Sequence, residues 1–210
     1  MQGYVDMLMV LSPPDKIIKL VDEYKKDAVQ LIGDYEGMHS IAHISIKNLP
    51  RQKPYYTEPA VINLLKKLKA MPPVELTIDG FDHFNHGDEF KTIYAKIQST
   101  PAITQWFREL KKHLTIKEYL VPHITIARNI PVDAYNILWP HFREIKWVAT
   151  FKVEQLTVLH REAFNTFAKW EIYKQIPFES RIPIEDVKPK TQAVDLRKGH
   201  LNADRQISLF

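Results

Sequence analysis

YLVPHITIAR, residues 119–128, carries the pattern that decides the architecture. From His123 onward the chain alternates: His123, Ile124, Thr125, Ile126. Successive side chains of a strand point to opposite faces, so His123 and Thr125 share one face and Ile124 and Ile126 share the other. SIAHISIK, residues 40–47, repeats the arrangement with His43, Ile44, Ser45 and Ile46. In both stretches the isoleucines anchor the strand in a core, and the histidine and hydroxyl face a cleft.

Outward from these two stretches, strands and helices mix. Residues 4–11 (YVDMLMVL) read as a buried strand, and Ser12 is expected to cap the helix that follows, with Pro13 and Pro14 in its first turn. Ile17, Leu20, Val21, Tyr24, Ala28 and Leu31 mark that helix. Residues 48–59, with three prolines, read as a loop, and Val61, Leu64, Leu65 and Leu68 mark a second helix ending before Pro72. Residues 74–81 and 92–98 read as strands joined by a long polar loop, 82–89. Ile103, Phe107, Leu110 and Leu114 give a third helical stripe, and residues 132–142 a short fourth helix. Residues 151–160 and 169–178 read as the last two strands. This order predicts an α+β fold with largely antiparallel sheets. The second half loosely echoes the first, as an ancient duplication would.

The paired motif suits phosphoryl transfer. One neutral imidazole removes a proton from the attacking hydroxyl or water, and a second, charged imidazole gives a proton to the leaving oxygen. Ser45 and Thr125 can donate to the non-bridging phosphate oxygens, where charge builds in the transition state. Two imidazoles supply this chemistry without a metal or cofactor. The same four-residue pattern occurs a third time, at His113, Leu114, Thr115 and Ile116. That copy ends a helical stripe, where a histidine simply complements the helix dipole, and it is set aside.

With these residues in place, the sequence resembles the two-histidine phosphoesterases, in particular the bacterial branch named for 2′-5′ RNA ligase activity. The surround Val121-Pro122-His123-Ile124-Thr125-Ile126-Ala127-Arg128 is similar to that family's second motif. The first motif, at His43, is more divergent, being followed by Lys47, Asn48 and Leu49. Gly80-Phe81-Asp82-His83-Phe84 looks like a further family stretch, and the similarity spans roughly residues 4–178. The resemblance implies a two-lobed, pseudo-duplicated α+β fold with antiparallel sheets, outer helices and a central cleft. It implies His43 and His123 as catalytic residues, Ser45 and Thr125 as phosphate ligands, and a 2′,3′-cyclic phosphate or 2′-5′ linkage on RNA ends or nucleotides as substrate. Phe84, as a stacking platform, and Arg128, as a phosphate contact, are further candidate substrate-binding residues. A loop-anchoring role for Phe84 and a surface ion pair for Arg128 are the plain alternatives. His83 and His86, with Asp82 and Asp88, match no strong metal-ligand spacing and read as solvated loop residues.

Beyond Phe178 the composition turns proline-rich and charged. The expected division is a phosphoesterase domain over residues 1–180 and an extended, partly disordered tail over 181–210. Gln206-Ile207-Ser208-Leu209-Phe210 resembles the short peptide by which bacterial DNA-processing proteins dock on the replication sliding clamp, with Gln206, Leu209 and Phe210 as the contacting residues. The alternatives are a tail that packs on its own domain, or an inert one. A non-catalytic RNA- or nucleotide-binding module recruited to that clamp is the competing function.

Composition bounds these readings without selecting among them. Of 210 residues 45% are hydrophobic and 26% charged, so a sizeable core can be buried. No cysteine is present, which excludes disulfides, thiolate metal sites and a cysteine nucleophile, and fits a reducing cytoplasm. A net charge of +4 is compatible with a phosphate-bearing partner. No apolar run is long enough for a membrane helix, and the first residues do not read as a signal peptide.

Overall fold

A computed structural model describes residues 3–165 and 167–182. Strand β1 (Val5–Leu11) leads into helix α1 (Asp15–Ile32), strand β2 (Ile44–Gln52) and helix α2 (Pro54–Lys69). The hairpin β3 (Val74–His86) and β4 (Phe90–Ile97) precedes helix α3 (Pro101–Leu114), strand β5 (His123–Pro131) and helix α4 (Val132–Glu144). Three strands follow: β6 (Val148–Val153), β7 (Gln155–Glu162) and β8 (Glu171–Pro177). The tail residues Gln206, Leu209 and Phe210 lie outside the described residues.

Two four-stranded antiparallel sheets form, in the orders β2-β1-β7-β8 and β5-β4-β3-β6. The duplication is visible in the threading. In β1-α1-β2-α2 and again in β4-α3-β5-α4, a strand and a helix are followed by a motif strand that returns antiparallel beside the first. Both motif strands are therefore sheet edges, and β2 lies against β5 where the sheets meet. Helix α1 packs on β5 and α4, and α2 packs on β8 and α3. This is the expected α+β architecture of two lobes, outer helices and a cleft.

The alternation read from the sequence holds at both motifs. Ile44, Ile46 and Ile124 are fully buried and Ile126 nearly so, whereas Ser45 and Thr125 remain half-exposed. The apolar core runs continuously through both sheets, from Met7, Met9 and Leu11 of β1 to Ile93 and Ala95 of β4.

Five local expectations are corrected. Ser12 is not the helix cap: Pro14 occupies that position and supplies only its carbonyl, to Ile17 and Ile18. The motif stretch at 40–47 becomes strand only from Ile44. Residues 48–59 are not a loop, because β2 continues through Gln52 and Pro54 opens α2 at a first-turn position suited to proline. Pro50 is tolerated because β2 is an edge strand, and the register slips by one residue there, between the Val5–Gln52 and Met7–Leu49 pairs. Residues 82–86 extend β3, leaving a short turn at Gly87, whose φ of +63° suits glycine. Finally, 151–160 is two strands. β6 pairs with β3 and β7 pairs with β1, so the chain changes sheets at Glu154. The alternation changes phase at the same point, from buried Phe151 and Val153 to buried Leu156 and Val158.

Burial of the motif isoleucines should carry a measurable share of the stability. Ile124→Ala is expected to lower the unfolding free energy by about 2–5 kcal/mol in urea denaturation. Exposed Ile137, replaced by alanine, should change it by no more than about 0.5 kcal/mol. Equal midpoints for the two variants would contradict the packing described.

Candidate functional site

Between the two sheets lies a cleft of about 1430 Å³. It is lined by every site residue singled out in the folded part of the sequence: His43, Ser45, Phe84, His123, Thr125 and Arg128. His43 stands one residue before β2, and His123 is the first residue of β5, so both histidines enter from the same end of their strands. His113 does not line the cleft. It sits in the last turn of α3, beyond which Thr115 adopts a left-handed conformation and closes the helix.

The two imidazoles are held in the same way. His43 Nδ1 donates to the carbonyl of Ile41 at 2.7 Å, and His123 Nδ1 donates to the carbonyl of Val121 at 2.7 Å. A carbonyl only accepts, so each neutral ring carries its proton on Nδ1 and presents Nε2 as the base. Ser45 Oγ lies 3.1 Å from His43 Nε2 and donates to it while that ring is neutral. His123 Nε2 makes no hydrogen bond among the described residues. Its ring is braced instead by aromatic contacts. Phe84 stacks on Tyr94 with centroids 4.1 Å apart, and both rings stand 5.0 Å from His123. Phe84 thus belongs to β3 rather than to a loop, and it packs directly against a motif histidine.

Electrostatics push both rings toward the neutral form. Burial lowers the pKa of His43, opposed by the Ile41 carbonyl and reinforced by the positive charges of Lys25 and Arg128. Burial also lowers that of His123, opposed by the Val121 carbonyl and reinforced by His43 and Arg128. Arg128 reaches the cleft through a register slip. Thr125 pairs with Tyr94 and Ala127 with Ile93, so Ile126 is the extra residue of a bulge, and Arg128 returns to the face of His123 and Thr125.

Three contributors were not read from the sequence. His86 lines the cleft, and its Nε2 is hydrogen-bonded to Thr92 Oγ1 at 2.9 Å, while Thr92 Oγ1 accepts from the Asn129 backbone N–H at 3.0 Å. The alternation of Phe84 and His86 along one face of β3 was the available signal. Lys25 is the third. It is only 3% exposed, and its ammonium donates to the carbonyls of Gly37 and Ser40 and to Ser40 Oγ, at 3.2, 2.6 and 2.7 Å. These bonds fix the turn that delivers Ile41, the acceptor for His43. The clue was its place on α1, in line with buried Ile17, Val21 and Ala28. Among the described residues, no group of three or more His, Asp or Glu side chains gathers as metal ligands, and no helix is long and apolar enough to cross a membrane.

Two sheets presenting matched His-x-hydroxyl strands to one cleft define the fold and site of a two-histidine phosphoesterase. The sequence profile of the 2′-5′ RNA ligase superfamily matches residues 13–164, and the chain belongs to that family. Among curated proteins none matches in sequence. The fold is shared with TT0787 of Thermus thermophilus, at 14% identity and a TM-score of 0.61, covering 84% of this chain and 100% of that one. It is also shared with Escherichia coli LigT solved in complex with 3′-AMP, at 12% identity and a TM-score of 0.58, covering 85% of this chain and all of LigT.

Burial of Lys25 has a consequence for stability. Desolvation lowers its pKa to about 8 from the ordinary 10.5, with Asp22 opposing. Between these values the unfolded chain holds a proton that the folded chain has released, so stability rises with pH in that window. Relative to Lys25→Met, the native chain should gain on the order of 3 kcal/mol in unfolding free energy as pH climbs through it, with no slope at lower pH. A difference independent of pH would refute the burial of this ammonium.

Proposed function

We propose that this chain is a phosphodiesterase acting on 2′,3′-cyclic phosphate or 2′-5′ linked RNA ends or nucleotides, with His43 and His123 as its acid–base pair. One observation supports this above the others. Two imidazoles, each with Nδ1 tied to the carbonyl two residues earlier, line one cleft beside a hydroxyl on the same strand face. Escherichia coli LigT, which shares the fold, has been solved with phosphate and with 3′-AMP, which fits a phosphate seated between the motifs.

For a cyclic phosphate the step balances as follows. Neutral Nε2 of one histidine takes a proton from water as the water oxygen bonds to phosphorus. The bond from phosphorus to one ribose oxygen breaks, and the imidazolium Nε2–H of the other histidine protonates that oxygen. The product is a phosphomonoester beside a free hydroxyl, and the two histidines have exchanged protonation states. Ser45, Thr125 and Arg128 face the non-bridging oxygens and stabilise their growing charge. The Nδ1 bonds hold each ring in the required tautomer and orientation throughout, whichever ring is charged.

Turnover needs one proton shared by the pair. The charge of one ring disfavours charge on the other, so the two protonation steps belong to the pair rather than to either residue. Because burial and Arg128 lower both rings, a bell-shaped rate profile is expected with its optimum below 6.5, the ordinary imidazole value. Hydrolysis of a 2′,3′-cyclic nucleotide in EDTA should fall by about 100-fold or more in both His43→Ala and His123→Ala, and stay within about twofold in His113→Ala. Native rates in either motif variant, or a profile flat across this range, would defeat the proposal.

A further inference from the structure

The cleft does not end at the histidines. Its floor is the inner face of the first sheet. Ser45 pairs with Val10, Val10 with Thr157, and Thr157 with Gln175, so these four stand in one row across β2, β1, β7 and β8. All four line the cleft. With strands about 4.8 Å apart, Thr157 lies roughly 10 Å from Ser45. Its hydroxyl is buried, the residue being 3% exposed, and Oγ1 has no hydrogen-bond partner among the described residues. A buried hydroxyl without a partner is costly, and because Thr157 lies in the row that lines the cleft, a small side-chain rotation would let its hydroxyl bond a ligand that enters.

Farther along the same floor, the β7–β8 connection presents aromatic rings. Phe164 is 76% exposed, and Trp170 stands at 37%, a high value for a side chain that lines a cleft. Both are held in place. The Arg161 guanidinium lies 4.6 Å from the centroid of the Trp170 ring and is itself anchored on Asp6 at 3.2 Å. Phe164 meets the edge of Tyr4 at 6.2 Å, with Arg51 at 6.0 Å. Each ring thus has a fixed orientation and exposed surface. The charged side chains lining the cleft are Arg51, Arg128, Arg161 and Lys169 against Asp6 and Glu36, so its field favours a polyanion.

We propose that this floor is a track for single-stranded RNA flanking the reacting phosphate, with Trp170 and Phe164 as base-stacking platforms and Thr157 as a hydrogen-bonding group between them and the phosphate site. Fixed aromatic rings along a cationic groove are the means by which single strands are bound without sequence preference, because every base has a π-face. A mononucleotide would fill the phosphate site alone, whereas an RNA end would fill the track as well. The inference deepens the phosphodiesterase reading and rests on it for the position of the phosphate, but it is tested by binding alone.

The test is fluorescence anisotropy with the full chain in EDTA, using a labelled single-stranded hexaribonucleotide ending in a 3′-phosphate, with displacement by a 3′-mononucleotide as the reference. The native chain should bind the hexanucleotide at least tenfold more tightly than the mononucleotide. Trp170→Ala and Phe164→Ala should each weaken hexanucleotide binding about fivefold or more and leave mononucleotide binding within twofold. Trp170→Phe, which keeps an aromatic face, should restore most of the affinity, and Thr157→Val, nearly isosteric, should weaken it several-fold. Hexanucleotide binding no tighter than that of the mononucleotide, or unaffected by Trp170→Ala, would overturn the track. Loss of turnover in the native chain with this binding pattern intact would instead strike the phosphodiesterase reading and leave the track standing.

Discussion

The period of two along β2 and β5 is the constraint on which the rest of this structure depends. Ile44, Ile46, Ile124 and Ile126 must be buried, and once they are, the geometry of a strand leaves Ser45 and Thr125 no choice but the opposite face. Because both motif strands are sheet edges that abut, their polar faces open onto one space rather than two. A slip of one residue in either strand would bury a hydroxyl and expose an isoleucine. The core thus enforces the site. The bulge at Ile126 refines it by returning Arg128 to the cleft.

Around that frame, the imidazoles are fixed by backbone rather than by acidic partners. A carboxylate on Nδ1 would raise the pKa of each ring. A carbonyl orients the ring with less electrostatic stabilisation of the charged form, and burial then dominates. Lys25 adds to this in two ways: it ties down the turn before His43, and its positive charge opposes protonation there. Packing, hydrogen bonding and charge therefore act together on the state of two rings.

Much of this was legible in the sequence, and the failures have physical causes. Helical stripes and motif strands announced themselves because one face of each is apolar. Residues 82–86 did not, because this part of β3 turns polar side chains such as His86 to a wet cleft and so looks like a loop. Prolines at 50 and 54 suggested a break, although an edge strand and a first helical turn both accept proline. The passage between sheets at Glu154 was encoded only as a change in the phase of alternation. Both histidines, both hydroxyls, Phe84 and Arg128 were named from sequence and share one cleft. Lys25 and Thr157 were not, since a lysine on a helix and a threonine in a strand take their roles from segments distant in sequence.

The fold therefore brings the two imidazoles with their hydroxyls and the exposed rings of Phe164 and Trp170 onto one cleft, the imidazoles where β2 meets β5 and the rings beside the first sheet. The most direct test of the central claim, that His43 and His123 act on one phosphate through Nε2 with the proton of each neutral ring on Nδ1, is nitrogen-15 NMR of the imidazoles during a titration with inorganic phosphate in EDTA. The account predicts that both neutral rings carry their proton on Nδ1 and that both respond with one common affinity, while His113 stays still. A response from only one of the two, or a proton on Nε2 in the neutral form, would contradict it.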